Sequence, residues 1–210
     1  MTPKISEAEK EQRRSQIIGA AMEVCKRRGY EAVTMKDIVE ETGMSRGWVY
    51  LYFSSKEEIF RAWMEENDKR ILAQLEQILQ EAPSIWMAIE HMFQTQAQAM
   101  EEPDDRLGRA IYEYFLGGLD HAERKEYLAQ RYVRMQEATE ALFEKGKRTG
   151  EFSPEVDALS TAKVMLIFFD GLALHIQGVG PALVQPRRQL EMFQESMRLL
   201  LGVASYRKGE

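Results

Sequence analysis

Cysteine is almost missing from these 210 residues: Cys25 stands alone, so no intrachain disulfide can form and no thiolate cluster can hold a metal. Histidine is scarce as well. His91, His121 and His175 lie far apart, without a His-Glu-x-x-His pattern, so no metal site is expected. Phosphate-cradling glycine loops are absent. Gly178-x-Gly180 has Leu183 where a dinucleotide motif needs its third glycine, and there is no Gly-x-x-x-x-Gly-Lys. With no convergent acid, base or nucleophile, the reading is of a non-enzyme without a cofactor. Paired carboxylates such as Glu57 and Glu58 are explained by favourable charge in the first turn of a helix. Long apolar runs are missing too. The most apolar stretch, Val164 to Phe169, ends at Asp170, and the polar, lysine-bearing start lacks the apolar centre of a signal peptide. A cytoplasmic protein of bacterial type, with no membrane partner, is expected.

What is present is an ordinary balance of 44% apolar and 30% charged residues with a net charge of −6. The charge is unevenly spread. Residues 1–56 hold 10 Lys/Arg against 8 Asp/Glu, a net of +2, which leaves −8 for the remainder. A small basic head can meet phosphates while an acidic body is held away from them.

Residues 34–56 organise the rest. Thr34 with Asp37 three residues on, and Met35, Ile38, Val39 and Thr42 at helical spacing, describe a capped two-turn amphipathic helix. Gly43 stops it, because a residue just past a helix end often needs a positive φ. Ser45 caps a second helix, Arg46 to about Phe53, which turns Val49 and Phe53 inward and leaves Arg46, Gly47, Trp48, Tyr50 and Tyr52 largely free. Two short helices joined by a glycine turn make a helix-turn-helix, whose second helix is built to enter a DNA major groove. Arg46 is the expected base reader, since a guanidinium can bond O6 and N7 of guanine together. Trp48 and Leu51 offer apolar contact to a thymine methyl group, and Gly47 lets the backbone come close.

Gly29-Tyr30, Thr34, Asp37-Ile38, Gly43, Ser45-Arg46-Gly47, Val49-Tyr50, Tyr52-Phe53 and Lys56-Glu57-Glu58 together resemble the amino-terminal signature of the tetracycline-repressor (TetR) family. The likeness covers residues from about 10 to 62. It implies that Thr34, Tyr50 and Lys56 hold phosphates, a task needing only a hydroxyl or an ammonium. Trp48 stands where a small residue is usual, and Leu51 replaces a commonly polar or aromatic one. Both departures fall on the expected reading helix, where they bear on which operator is read.

Elsewhere the pattern is helical throughout. A first helix runs from about Glu9 to Arg28; its Lys10, Arg13 and Arg14 either touch phosphates or form a solvated face. Ser55 and Glu58 form a capping box for a rod extending to about Glu81. Further helices are expected over Ser84–Met100, Arg106–Leu116, Ala122–Thr149, from Ser153-Pro154 to about Gln177, and Arg187–Val203, with an acidic break at 101–105. The expected fold is all-α: a three-helix DNA-binding domain over residues 1–55, then about six helices over 56–210 for effector binding and dimerisation.

In that body Trp63, Trp86, Phe93, Tyr112, Phe115, Phe168 and Phe169 either line a cavity or fill the core, with Glu90, Glu113, Asp170 and His175 as polar candidates. The resemblance implies that an effector pocket exists somewhere among these helices. A two-turn reading helix is too small to select a genomic site alone, so a homodimer on a palindromic double-stranded operator is expected. Met165, Leu172, Ile176, Met192, Phe193 and Met197 on the last two helices either belong to the shared interface or fill the core of the single chain. The expected function is a repressor released by a small-molecule effector; a helical protein-binding scaffold without DNA affinity is the alternative.

Overall fold

A computed structural model describes residues 6–101 and 106–203. Most of the expected acidic break and the first five residues lie outside this range. The described residues form ten α-helices, one of them four residues long, and a single 3-10 turn, with no strand among them. They divide into two compact units.

The first unit holds α1 (Glu7–Arg28), α2 (Met35–Thr42), α3 (Arg46–Tyr50), the start of α4 (Lys56–Glu81) and α6 (Arg106–Gly117). Its local signals agree with the chain's own chemistry. Ser6 and Glu9 form a reciprocal capping box on α1, which starts at Glu7, two residues before the expected Glu9, and Thr34 and Asp37 form another on α2. Gly43 closes α2 at φ 65°, a left-handed conformation that glycine reaches without a Cβ clash. Ser55 Oγ accepts from the Glu58 amide at 3.1 Å, but the Glu58 carboxylate turns to Ser54 instead, accepting from its amide at 2.7 Å. The apolar faces meet in one core. Ile17, Ala21 and Val24 of α1, Ile38 of α2, Val49 of α3, Phe60 of α4 and Tyr114 of α6 are all buried there. Tyr30, Phe60 and Tyr114 form an aromatic knot with ring centroids 4.8–5.0 Å apart.

Recruitment of α6 into this unit was not visible in the sequence, since residues 56–117 all read as body. Two of its side chains explain it. Tyr114 donates its hydroxyl to Glu57 at 2.8 Å, and burial pushes the phenol pKa well above its ordinary value, so that proton stays in place. Glu113 accepts from the Glu31 amide at 3.1 Å and from Arg109 at 2.7 Å. Burial raises the Glu113 pKa, but these donors outweigh it and hold the carboxyl below its usual range. Gly29, at φ 78°, leaves the room this carboxylate occupies; a side chain there would collide with it.

The second unit contains the end of α4, α5 (Ile85–Glu101), the 3-10 turn Gly118–Asp120, α7 (Ala122–Thr149), α8 (Ala158–Val179), α9 (Pro181–Val184) and α10 (Pro186–Leu200). Its core joins Trp86, Ile89 and Phe93 of α5, Phe143 of α7, Ala162, Met165 and Leu172 of α8, and Leu190 and Met197 of α10. Ser153-Pro154, the expected start of α8, does not start it; the helix begins at Ala158. The Ser153 amide donates to the Leu201 carbonyl at 2.8 Å, and buried Phe152 and Val156 hold the intervening chain in turns. Asp157 caps α8 instead, accepting from the Ser160 amide at 3.0 Å. Helix α8 also continues two residues past Gln177 to Val179, where Gly180 ends it.

Candidate nucleic-acid interface

The reading helix α3 is anchored by one buried side chain and exposed elsewhere. Val49 is wholly buried, and Phe53, just after the helix, is buried beside it. Regular helix stops at Tyr50, three residues before the expected end, and Leu51 and Tyr52 follow in a turn. Ser45 caps α3, its hydroxyl accepting from the Trp48 amide at 3.4 Å. Around that anchor Arg46, Gly47, Trp48, Tyr50 and Leu51 are exposed, Leu51 to 74%, while Tyr52 is half-buried. So many uncovered apolar atoms on so short a segment mark a surface built to be covered.

Cations near this helix differ in how far they are neutralised. On α1, Lys10 pairs with Glu7, Arg14 with Glu66, Lys26 with Glu23, Arg27 with Glu41 and Arg28 with Asp37. Arg13, the remaining basic residue of α1, makes no ion pair among the described residues. Its guanidinium instead lies 4.2 Å from the centre of the Trp48 ring. Arg46 likewise contacts a ring, that of Tyr50, at 5.1 Å. No sequence signal reveals the first of these contacts, because 35 positions separate its partners.

Two residues expected to hold phosphates are also engaged internally. The Thr34 hydroxyl donates to Asp37 at 2.6 Å as part of the α2 cap. Lys56 Nζ donates to the carbonyls of Tyr30 at 2.9 Å and Glu31 at 3.0 Å, which leaves one of its three N–H bonds. Lys56 therefore ties the loop after α1 to the start of α4, whatever else it touches.

Gly47 has no structural reason to be glycine. Its backbone is right-handed, and a Cβ built there meets nothing within 4 Å. Glycine inside a helix costs roughly 1 kcal/mol relative to alanine. Gly47→Ala is therefore expected to raise unfolding stability by about 0.5–1 kcal/mol while weakening duplex binding. Thermal melting and a binding titration check the pair; a variant that is stabilised and binds as well as wild type would show that nothing approaches this backbone.

The seven aromatic effector candidates divide between the units, as do the polar ones, with Glu113 in the first and Glu90, Asp170 and His175 in the second. Trp63, Tyr112 and Phe115 belong to the first, all half-buried, with Trp63 against Phe60 at 5.6 Å and Tyr112 against Phe115 at 6.3 Å. In the second, Trp86 and Phe93 are buried in the core, while Phe168 and Phe169 are half-buried. Phe168 stacks on Phe193 at 3.8 Å, and Phe93 lies 5.4 Å from Phe169. His175 is exposed, and its Nδ1 lies 2.7 Å from the Gly171 carbonyl of its own helix. Two clefts of this unit lie elsewhere. One of about 480 Å³ is lined by Pro181, Gln185, Arg188 and Glu191 among others, and one of about 430 Å³ by Asp157, Thr161, Val164 and Leu200 among others.

Half of the interface candidates need correcting. Met165, Leu172 and Met197 are buried in the chain's own core, which leaves them little surface for a partner. Ile176 and Phe193 are half-buried; Met192 is exposed. Helix α8 is apolar nearly all round, so composition could not tell its inner face from its outer one. The outer face carries exposed Val164, Ile167 and Leu174 at spacings of three and seven. By length and composition α8 also passes as a membrane-crossing helix, yet Ala158, Thr161, Ala162, Met165 and Leu172 pack its other face into the protein.

Comparison with known proteins gives this geometry its setting. Residues 17–63 match the family model described as bacterial regulatory proteins, tetR family, and residues 88–185 match the tetracyclin repressor-like C-terminal domain. The HTH-type transcriptional regulator YfiR of Bacillus subtilis is 38% identical over 172 residues, covering 82% of this chain and 83% of that one. The chain belongs to the TetR family. It is thus a DNA-binding transcriptional regulator and not an enzyme. Among solved structures, Salmonella enterica GusR superposes with a TM-score of 0.75 at 20% identity, covering 94% of this chain and 98% of that one. A Bacillus subtilis regulator FadR solved in complex with stearoyl-CoA superposes at 0.69 with 19% identity, covering 90% and 97%. These likenesses extend the all-α fold of this TetR-family regulator over nearly its whole length, well beyond the amino-terminal signature.

Proposed function

We propose that this regulator is a homodimeric repressor that holds a palindromic operator until a small-molecule effector releases it. The observation that carries the reading is α3, anchored by Val49 and uncovered at Arg46, Gly47, Trp48, Tyr50 and Leu51. Arg46 reads a guanine in the major groove, and Ser45, Thr34, Tyr50, Tyr52 and Lys56 surround it as backbone contacts. Dimerisation uses the outer faces of the last long helices. Val164, Ile167 and Leu174 of α8 and Met192, Leu199 and Leu200 of α10 are exposed, and Val164 and Leu200 border the same cleft. Two copies of this apolar surface around a two-fold axis bury each other.

The effector binds in the second unit, where half-buried Phe168, Phe169 and Phe193 offer an apolar lining. The acyl-CoA complex of the Bacillus subtilis FadR neighbour is in keeping with an apolar ligand. Helix α4 runs unbroken from Lys56 to Glu81 and contributes residues to both units, so it can carry a shift between them. An effector that prefers the non-binding arrangement by about 1–3 kcal/mol weakens operator affinity about 5- to 150-fold. The setting is the cytoplasm.

Random-oligonucleotide selection followed by titration tests this. Wild type is expected to enrich an inverted repeat. Arg46→Ala is expected to lose about 1–3 kcal/mol of discrimination at one base pair per half-site, while Lys56→Ala lowers affinity for all sequences alike. Failure to enrich any inverted repeat contradicts the function, and equal effects of both variants on all sequences contradict the division of roles.

A further inference from the structure

Arg13 and Trp48 form a pair that the function as proposed does not use. Trp48 stands on the reading helix α3, and its ring is contacted from α1, 35 positions earlier in the chain. Its ring is exposed to 38%, and the group seated on it is the Arg13 guanidinium at 4.2 Å. Arg13 is half-buried on α1. Every other basic residue of that helix is bound to a carboxylate. Glu9, one turn earlier, feels the Arg13 charge, yet its carboxylate is taken up by the Ser6 amide and hydroxyl, both at 2.9 Å. Arg13 thus keeps its charge for the ring, and a cation–π contact leaves the guanidinium N–H donors unspent.

An indole on an exposed helix turns between several rotamers unless something holds it, and a mobile ring discriminates poorly between bases. We infer that Arg13 is a positioning residue for sequence reading: it pins Trp48 as an apolar reader of a thymine methyl group, giving this chain a thymine preference alongside the guanine contact of Arg46. The methyl group is what the major groove offers an apolar side chain. Gly47, with open space about it, leaves the neighbouring indole uncrowded and lets the duplex approach. This inference rests on the DNA-reading function proposed above, and deepens it by naming a base and the residue that enforces it.

Uracil substitution isolates the methyl group, because uracil pairs as thymine does and lacks only that carbon. In the inverted repeat selected by wild-type protein, each symmetric pair of thymines is replaced in turn by uracil, and binding is followed by fluorescence anisotropy. One pair is expected to matter, with affinity falling about fourfold per half-site, the worth of one buried methyl group. Trp48→Ala should bring the thymine-to-uracil ratio at that pair close to one. Arg13→Ala should lower the same ratio as well as affinity, because the ring is no longer held. Each ratio compares two duplexes on one protein preparation, so partial unfolding of a variant cancels. A selected repeat without thymine, a ratio of one at every position, or an unchanged ratio in Trp48→Ala overturns the assignment. Arg13→Ala weakening both duplexes equally overturns the positioning role and makes Arg13 a phosphate contact. If wild type selects no inverted repeat, the DNA-reading function fails first, an outcome distinct from all of these.

Discussion

Ile167→Glu is expected to yield a folded monomer that no longer holds its operator. The side chain lies on the outer face of α8 and is 63% exposed in the single chain, so nothing inside the protein depends on it. Val164 and Leu174 flank it at helical spacing on the same face. On a two-fold axis a new carboxylate meets its own copy, and two like charges in an apolar contact oppose association strongly. Each half-site then has to be bound alone. Specific DNA affinity exceeds non-specific affinity by roughly a thousandfold or more, and half of the contacts cannot sustain that ratio. Operator binding should fall by roughly 100-fold or more, while helical circular dichroism and the melting temperature of the monomer change little. Sedimentation velocity and an operator titration check both parts. A variant that remains dimeric and binds normally would place the interface elsewhere.

The second large effect concerns stability. Tyr114 of α6 is wholly buried, its ring packed between Tyr30 and Phe60 at 5.0 and 4.8 Å. Removing it leaves a cavity where helices α1, α4 and α6 meet. Tyr114→Ala should cost about 3–5 kcal/mol, and lower the melting temperature by about 6–20 °C in a chain of this length. Tyr114→Phe keeps the ring and gives up only the hydroxyl, which donates to Glu57 at 2.8 Å and accepts from Arg61 at 3.2 Å. Glu57 and Arg61 remain paired to each other at 3.0 Å, so about 1 kcal/mol is expected. Denaturant unfolding of the two variants separates ring packing from hydrogen bonding. Equal losses would show that the hydroxyl network, and not the aromatic knot, holds α6 in the DNA-binding unit.

Most of the helix-turn-helix could be read directly from residues because its signals are local. A cap such as Thr34 with Asp37 and a stop such as Gly43 act within four positions, and each appears in the structure as the spacing implies. The unit around it was harder to see. Its membership depends on Tyr30, Phe60 and Tyr114 meeting across long separations, and periodicity says only that each has an inward face. Helix α8 shows the same limit. An all-round apolar helix carries no mark of which side its own core takes, so Met165 and Leu172 could not be told from Val164 and Ile167 before the fold was known. Ser153-Pro154 failed for a related reason: a sound local start signal lost to the burial of Phe152 and Val156 on either side. Around α3, exposure followed from the pattern, whereas partners did not. That Lys56 binds loop carbonyls and that Arg13 rests against the Trp48 ring are tertiary facts.

In the function proposed, paired reading helices of two copies recognise two half-sites of one duplex. Sedimentation of the protein with its selected operator measures this directly, by counting chains per duplex as the half-site spacing is varied. Two chains per duplex are predicted, with binding strongest when half-site centres lie about one helical turn, 34–36 Å, or a whole multiple of it apart. One chain per duplex, or affinity indifferent to spacing, would contradict it.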